Sequence, residues 1–175
     1  MGLYRTLVLP RLIDFAMRNR ELLQIRRRLV PLACGRVLEI GCGSGLNLPY
    51  YTAEVKELLA IDPSGELIDM AYRRARIAPF PVKFLERTAE AIPMDDRSFD
   101  TVVITWTLCS VQDAEKALRE MRRVLKPDGR LLFAEHGSAP HSAVRFWQEQ
   151  ITPIWQRIAG GCHLNRKPDD LLRAA

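Results

Sequence analysis

The run "RVLEIGCGSGLNLPYY", Arg36 to Tyr51, constrains this chain most: a short apolar stretch leads into Gly41, Gly43 and Gly45 at alternate positions. Apolar strand-like runs recur at Arg36 to Ile40, Leu58 to Ile61, Val82 to Leu85, Thr101 to Thr105 and Arg130 to Ala134. Between them the spacing predicts helices at Leu46 to Glu57, Ser64 to Ile77 and Ala114 to Leu125, with "KPDG" at 126–129 as a turn. Strand and helix in alternation imply an α/β fold, a parallel sheet with helices on both faces. In such a sheet the loop after the first strand, beyond its carboxyl end, is where a nucleotide-like ligand is expected.

At 175 residues the chain is long enough for one domain with a sizeable core and short for two. Its 47% apolar and 27% charged content is that of an ordinary globular protein. No apolar run reaches the roughly 18–20 residues that span a bilayer, and Pro10, Arg11 and Asp14 interrupt the N-terminal Leu7-Val8-Leu9. A cytoplasmic protein is therefore the default expectation. Cys34, Cys42, Cys109 and Cys162 lack the paired short spacing of a zinc site, so reduced thiols and no metal centre are expected. Of the net charge of +5, residues 1–36 carry +6, from eight arginines against Asp14 and Glu21. That basic arm suits phosphate, anionic lipid or an acidic partner, or forms a solvated helix face.

A dinucleotide fingerprint places its third glycine three positions after the second, at Leu46 here, whereas this chain has it at Gly45. Glu39-x-Gly41-x-Gly43-x-Gly45 instead resembles motif I of the class I S-adenosylmethionine-dependent methyltransferases. Asp62 closes "LLAIDPS" at the expected second strand tip, where a carboxylate accepts hydrogen bonds from both ribose hydroxyls; Ser64 is the better placed helix cap. "RTAEAIPMDDRSFDTVVITWTLCSV" and "ALREMRRVLKPDGRLLFAEHG" extend the resemblance over residues 33–137, in the subfamily that includes quinone- and sterol-biosynthesis enzymes. It implies a Rossmann-like sheet and S-adenosyl-L-methionine as cofactor. The binding residues it implies are Glu39, Gly41, Cys42, Gly43, Gly45, Asn47, Asp62, Pro63, Thr88, Ala89, Glu90 and Thr105. Thr88 stands where the family often has Asp or Asn for the adenine amino group.

"TLCSV", "AEHG", "FWQEQITPIW" and "GCHLNRK" are similar to the thiol methyltransferase group, membrane-associated methyltransferase-like proteins that methylate alkyl thiols. The resemblance implies a small or lipophilic acceptor, with a quinone or lipid methyltransferase, or a non-catalytic cofactor-binding domain, as alternatives. The long apolar anchor of the eukaryotic members is absent, so membrane contact through the basic N-terminal helix is expected to be peripheral. Thr105-Trp106-Thr107-Leu108 replaces the Asp/Asn/Ser-Pro-Pro-aromatic motif of nucleic-acid amino-methyltransferases, which argues against a nucleic-acid substrate.

For a neutral acceptor, His136 and His163 are the candidate catalytic bases. Cys109, Trp106 and Leu108 are expected near the acceptor, and Trp147 and Trp155 as one packed face of a helix. Residues 1–33 are expected to form a helical lid with Tyr4, Phe15 and Arg18 as contacts, 34–137 the cofactor core, and 138–175 acceptor-side helices. Family members close the sheet with strands six and seven. The sequence ends at "DDLLRAA" before them, so Leu131 to Ala134 is expected to be an open, apolar edge prone to pairing, and the chain less stable than a longer form.

Overall fold

The computed structural model describes residues 2–174. Five parallel strands, β1 (Gly35–Ile40), β2 (Val55–Asp62), β3 (Val82–Glu86), β4 (Phe99–Thr105) and β5 (Leu125–Ala134), form one sheet in the order β3-β2-β1-β4-β5. The chain leaves β1 toward β2 on one side and later returns to place β4 on the other. The carboxyl end of β1 is thus the topological switch point, where such sheets bind ligands.

Alternate residues of each strand enter opposite cores, which is why the central strands read as unbroken apolar runs. Val37, Leu58, Ala60 and Val103 pack with Ile68 and Ala71 of α3 (Gly65–Ala75) and with Val30 and Ala33. Leu38, Ile40, Leu59, Ile61, Val102 and Ile104 pack with α4 (Ala114–Val124), which buries Ala114, Ala117, Leu118, Met121 and Val124 along one stripe. Ser64 caps α3 by accepting the Leu67 N–H at 3.3 Å, as expected, and Asp113 caps α4 through the Lys116 N–H at 2.9 Å. Two helices precede β1, α1 (Leu9–Ala16) and α2 (Arg20–Leu29), and two follow β5, α5 (Ser142–Ile158) and α6 (Pro168–Ala174).

Two sequence expectations change. The helix expected over Leu46 to Glu57 is only a single 3-10 turn, Leu48–Tyr50. Leu48, Tyr51 and Val55 imitate helical spacing, but Pro49 offers no N–H, Tyr51 is extended, and β2 starts at Val55, opposite Gly35. α4 does stop at Val124, just before "KPDG", but those four residues are looped out inside β5 rather than forming a free turn. Phe99 pairs with Leu125 and Thr101 with Arg130, so Lys126 to Gly129 bulge opposite Asp100, where Lys126 Nζ meets Asp100 Oδ1 at 2.6 Å. β5 lies at the sheet edge with Phe133 43% exposed, and among the described residues no strand pairs with its outer side.

Candidate active site at the switch point

The glycine loop is pinned to the end of β2. The Gly41 and Cys42 N–H groups both donate to the Ile61 carbonyl (2.8 and 3.1 Å), and the Gly43 N–H donates to Asp62 Oδ2 at 2.8 Å. Gly41 has φ +66°, and a Cβ there would stand 2.1 Å from Thr107 Oγ1, so loop and post-β4 segment meet only because position 41 has no side chain. Gly43 and Gly45 share the left-handed conformation, and the Cβ direction of Gly43 is open. Asp62 also accepts the Ser64 N–H on Oδ1 at 2.9 Å. Burial raises its carboxyl above the ordinary range, against the pull of those two bonds.

Beneath the loop lies a closed polar network. Glu39, 2% exposed, accepts Asn47 Nδ2 on Oε1 at 2.9 Å and the Tyr51 hydroxyl on Oε2 at 3.0 Å. Asn47 Nδ2 also reaches Thr105 Oγ1, and Asn47 Oδ1 accepts Arg26 Nε, both at 3.0 Å. Burial pushes Glu39 up to about 7, although Tyr51, Asn47 and the Arg26 charge oppose the shift. Arg26 itself is 3% exposed and lies over the Trp106 ring, 4.5 Å from its centroid.

Of the residues the resemblance implies, Glu39, Asn47 and Thr105 thus support the loop from below, and Cys42 is buried beside Leu48 and Val37. Pro63 and Thr88 are exposed, Ala89 is buried in the α4-side core, and Glu90 Oε1 accepts the Gln112 and Asp113 N–H groups at the start of α4.

Together with Arg26, Asp14 of α1, which sequence reasoning passed over, joins the N-terminal segment to this loop. It is 6% exposed and accepts Ser44 Oγ and Arg74 Nη2 on Oδ1 and Arg18 Nη2 on Oδ2. The available signal was its position as the lone acid among the first 20 residues. Of the expected contacts, Arg18 serves Asp14, Tyr4 donates its hydroxyl to the Ile158 carbonyl at 2.8 Å, and Phe15 stays 79% exposed.

Beyond β4 and β5 the chain builds a second polar cluster. Trp106 is held at φ +49°, a strained conformation for a bulky residue and one that concentrates at functional sites. Glu135 Oε1 accepts the Thr107 and Leu108 N–H groups, each at 2.8 Å, while Oε2 is buried with no hydrogen-bond partner among the described residues. "GCHLNRK" folds back onto "TLCSV". Cys162 Sγ lies 3.3 Å from His136 Nε2, the His163 ring and backbone N–H both meet the Cys109 carbonyl, and Arg166 Nη1 donates to the Leu108 and Val111 carbonyls. The Cys109 thiol and His136 hold the Cys162 thiol below the ordinary thiol range, against its burial. The bond to Cys162 in turn raises His136, and bonding to Cys162 together with burial pushes Cys109 up.

Both candidate histidines therefore sit at this cluster. Trp147 and Trp155 do not form the packed face expected of them. They are 61% and 38% exposed, because α5 buries only Thr152. An open cleft of about 680 Å³ beside α4 and α6, lined by Gln112, Glu115, Arg166 and Asp170 among others, takes no residue from the glycine loop. It shares Arg166 with the second polar cluster but takes neither its cysteines nor its histidines.

The comparisons fall in line with this geometry. The chain is similar to the rat thiol S-methyltransferase TMT1B, 39% identical over 138 residues that are 75% of this chain and 55% of the relative. It thus spans about half the length of that group. It is 34% identical to the demethylmenaquinone methyltransferase of Thermus thermophilus over 164 residues, 88% of this chain and 73% of the relative. Its fold superposes on the crystal structure of YcgJ from Bacillus subtilis with a TM-score of 0.72 at 26% identity, over 89% of this chain and 68% of that one. The methyltransferase domain family matches residues 38–133, from inside β1 to the end of β5, and this chain belongs to that family, with a class I, Rossmann-like fold.

Proposed function

We propose that this chain binds S-adenosylmethionine over the Gly41–Gly45 loop and catalyses methyl transfer to a small acceptor, a thiol. The observation that carries the reading is the loop itself: a side-chain-free turn at the switch point, fastened to an oriented carboxylate on the next strand. The residues present fit the ligand. Gly43 opens to free space, and Asp62, aimed by the Gly43 and Ser64 N–H groups, keeps further lone-pair directions for two ribose hydroxyls.

Bound there, S-adenosylmethionine supplies an electrophilic methyl carbon on a cationic sulfur. Asp62 holds the ribose, and the backbone of Gly41, Cys42, Gly43 and Gly45 meets the amino-acid end. Glu39, Asn47 and Thr105 keep that backbone in place from beneath. Pro63, Thr88, Ala89 and Glu90 flank the adenine. Alignment of acceptor, methyl carbon and sulfur is the main task, and orientation of this kind contributes up to about 7–11 kcal/mol.

The thiol acceptor is supported by the thiol S-methyltransferase relatives and by the packing of "TLCSV" against "GCHLNRK", the two stretches that resemble that group. A thiolate needs no general base, so His136 and His163 act as parts of the acceptor wall. Incubation with labelled S-adenosylmethionine and a panel of alkyl thiols, quinols and lipids tests the reading. Methylated thiol is expected. Methylated quinol alone would replace the acceptor, and binding without transfer to any of them would overturn catalysis.

A lipophilic acceptor suits delivery from a membrane surface. Leu3, Leu7, Val8 and Leu12 are exposed on the N-terminal segment beside Arg5 and Arg11, which fits peripheral contact with anionic lipid. No helix among the described residues is long and apolar enough to cross a membrane. Flotation with anionic vesicles is expected to carry the protein, and equal flotation with neutral vesicles would remove the electrostatic part.

A further inference from the structure

Cys109, His136 and Cys162 are separated by 27 and 26 residues in the sequence, too far apart to read as a metal motif. The fold nonetheless delivers each to the same point at the carboxyl end of the sheet. Cys109 comes from the segment after β4, His136 from the segment after β5, and Cys162 from the turn that ends α5. That turn passes close to the post-β4 segment at Gly161, which has φ +90° and whose Cβ position lies 3.4 Å from the Ser110 carbonyl oxygen. The three donor atoms all lie within 4.8 Å of one another, with Cys162 Sγ and His136 Nε2 3.3 Å apart.

From this geometry we infer a Cys-His-Cys site for a zinc-like divalent cation, with a fourth coordination position left for an exogenous ligand. Zinc bonds of about 2.3 Å to sulfur and 2.0–2.1 Å to nitrogen at tetrahedral angles put donor atoms roughly 3.5–3.8 Å apart, so the set closes on a metal with adjustments of about 1 Å or less. Two sulfurs and one imidazole form the donor set that prefers zinc over magnesium or calcium. On binding, the cysteine thiols give their remaining protons to solvent and coordinate as thiolates. Glu135 adds an independent observation: the residue next to His136 carries a buried carboxylate oxygen with no hydrogen-bond partner among the described residues, and a dication alongside would reinforce the favourable charge that His136 exerts on it. The open position suits a soft ligand, and an alkyl thiolate is the class it would take. That last clause alone rests on the proposed function, and metal retention tests the site without S-adenosylmethionine.

The protein, reduced with a non-chelating phosphine and incubated with zinc chloride, is expected to keep about one zinc per chain through gel filtration. Cys162→Ser, Cys109→Ala and His136→Ala should each weaken zinc binding in a chelator competition by at least tenfold, Cys34→Ser should leave it unchanged, and Glu135→Gln should weaken it about tenfold. Cobalt in place of zinc should give a thiolate-to-metal charge-transfer band that shifts when a small alkyl thiol is added. In the unmodified protein, zinc should slow alkylation of Cys162 at least tenfold and leave Cys34 unaffected, a readout that does not depend on any variant folding. No retained zinc, or equal Cys162 alkylation with and without it, overturns the site. A cobalt spectrum unmoved by thiol overturns the open position, whereas absent methyl transfer with zinc retained overturns only the catalytic reading.

Discussion

Glu39→Gln isolates the energetics of the buried network beneath the glycine loop. Glu39 has its carboxyl raised from 4.5 to about 7, chiefly by burial, so the folded state favours the protonated form. Between those two values the unfolded chain has released this proton and the folded chain has not. Stability is therefore fully present below about 4.5 and is lost as pH rises, at about 1.4 kcal/mol per unit, until the folded pKa is passed. The shift amounts to about 3 kcal/mol, a large part of the 5–15 kcal/mol that holds an ordinary domain together.

Glutamine keeps the shape and can still accept Asn47 Nδ2, while its amide replaces the oxygen facing Tyr51. Any cost of that exchange does not vary with pH and leaves the slope untouched. Urea denaturation at intervals from pH 4.5 to 8.5 should show the native protein losing about 3 kcal/mol relative to Glu39→Gln, with the difference levelling off above about pH 7.5. Parallel profiles for the two proteins would refute the argument. They would mean that Arg26, whose charge is the network's one cation, holds Glu39 ionised in the folded state.

Asp62→Ala should weaken S-adenosylmethionine binding by about 1.5–3 kcal/mol in titration calorimetry, the scale for bonds to a charged acceptor, and it should also free the Gly43 N–H. Gly41→Ala should lower affinity more than tenfold and reduce the melting temperature, because its Cβ collides with Thr107 and its φ of +66° disfavours any side chain. Asp14→Ala should cost about 1–3 kcal/mol in chemical denaturation and weaken cofactor binding, since it leaves the Ser44 hydroxyl and Arg74 without their shared acceptor. Removal of residues 1–18 should weaken cofactor binding while sparing the fold, measured by calorimetry and circular dichroism. Removal through residue 30 should damage both, because Val30 is fully buried and Arg26 anchors Asn47.

What the sequence made legible and what it hid divide along one physical line. Short apolar runs and helical apolar spacing report burial against a neighbouring layer, so β1 to β4, α3 and α4 were visible within a few residues, and β5 in its second half. The glycine rhythm was visible because it answers a local backbone demand at Gly41. The stretch from Leu46 to Glu57 misled because its apolar spacing was real but served the loop: Leu48 packs in the core, and Tyr51 turns its hydroxyl to Glu39. Trp147 and Trp155 misled in the opposite sense, since hydrophobic residues on a helix that buries almost nothing carry no information about what they face.

Polar partnerships across long sequence distances leave no periodic trace. Asp14 with Arg74, and Arg26 with Asn47, join residues 60 and 21 positions apart, and in the sequence Asp14 and Arg26 stood only as charges of the basic N-terminal arm. The cysteines show the same limit most sharply. Spacing rules for metal sites detect ligands that neighbour one another along the chain, whereas a parallel sheet gathers ligands from the ends of successive strands, roughly one strand-helix unit apart. Cys109 and His136 follow adjacent strands β4 and β5, so their separation of 27 residues is the length of the unit that connects those strands. In a fold of this class the spacing to examine is therefore that repeat for Cys109 and His136, whereas Cys162, a further 26 residues along, lies in the turn after α5 and is brought back by that helix rather than by a strand.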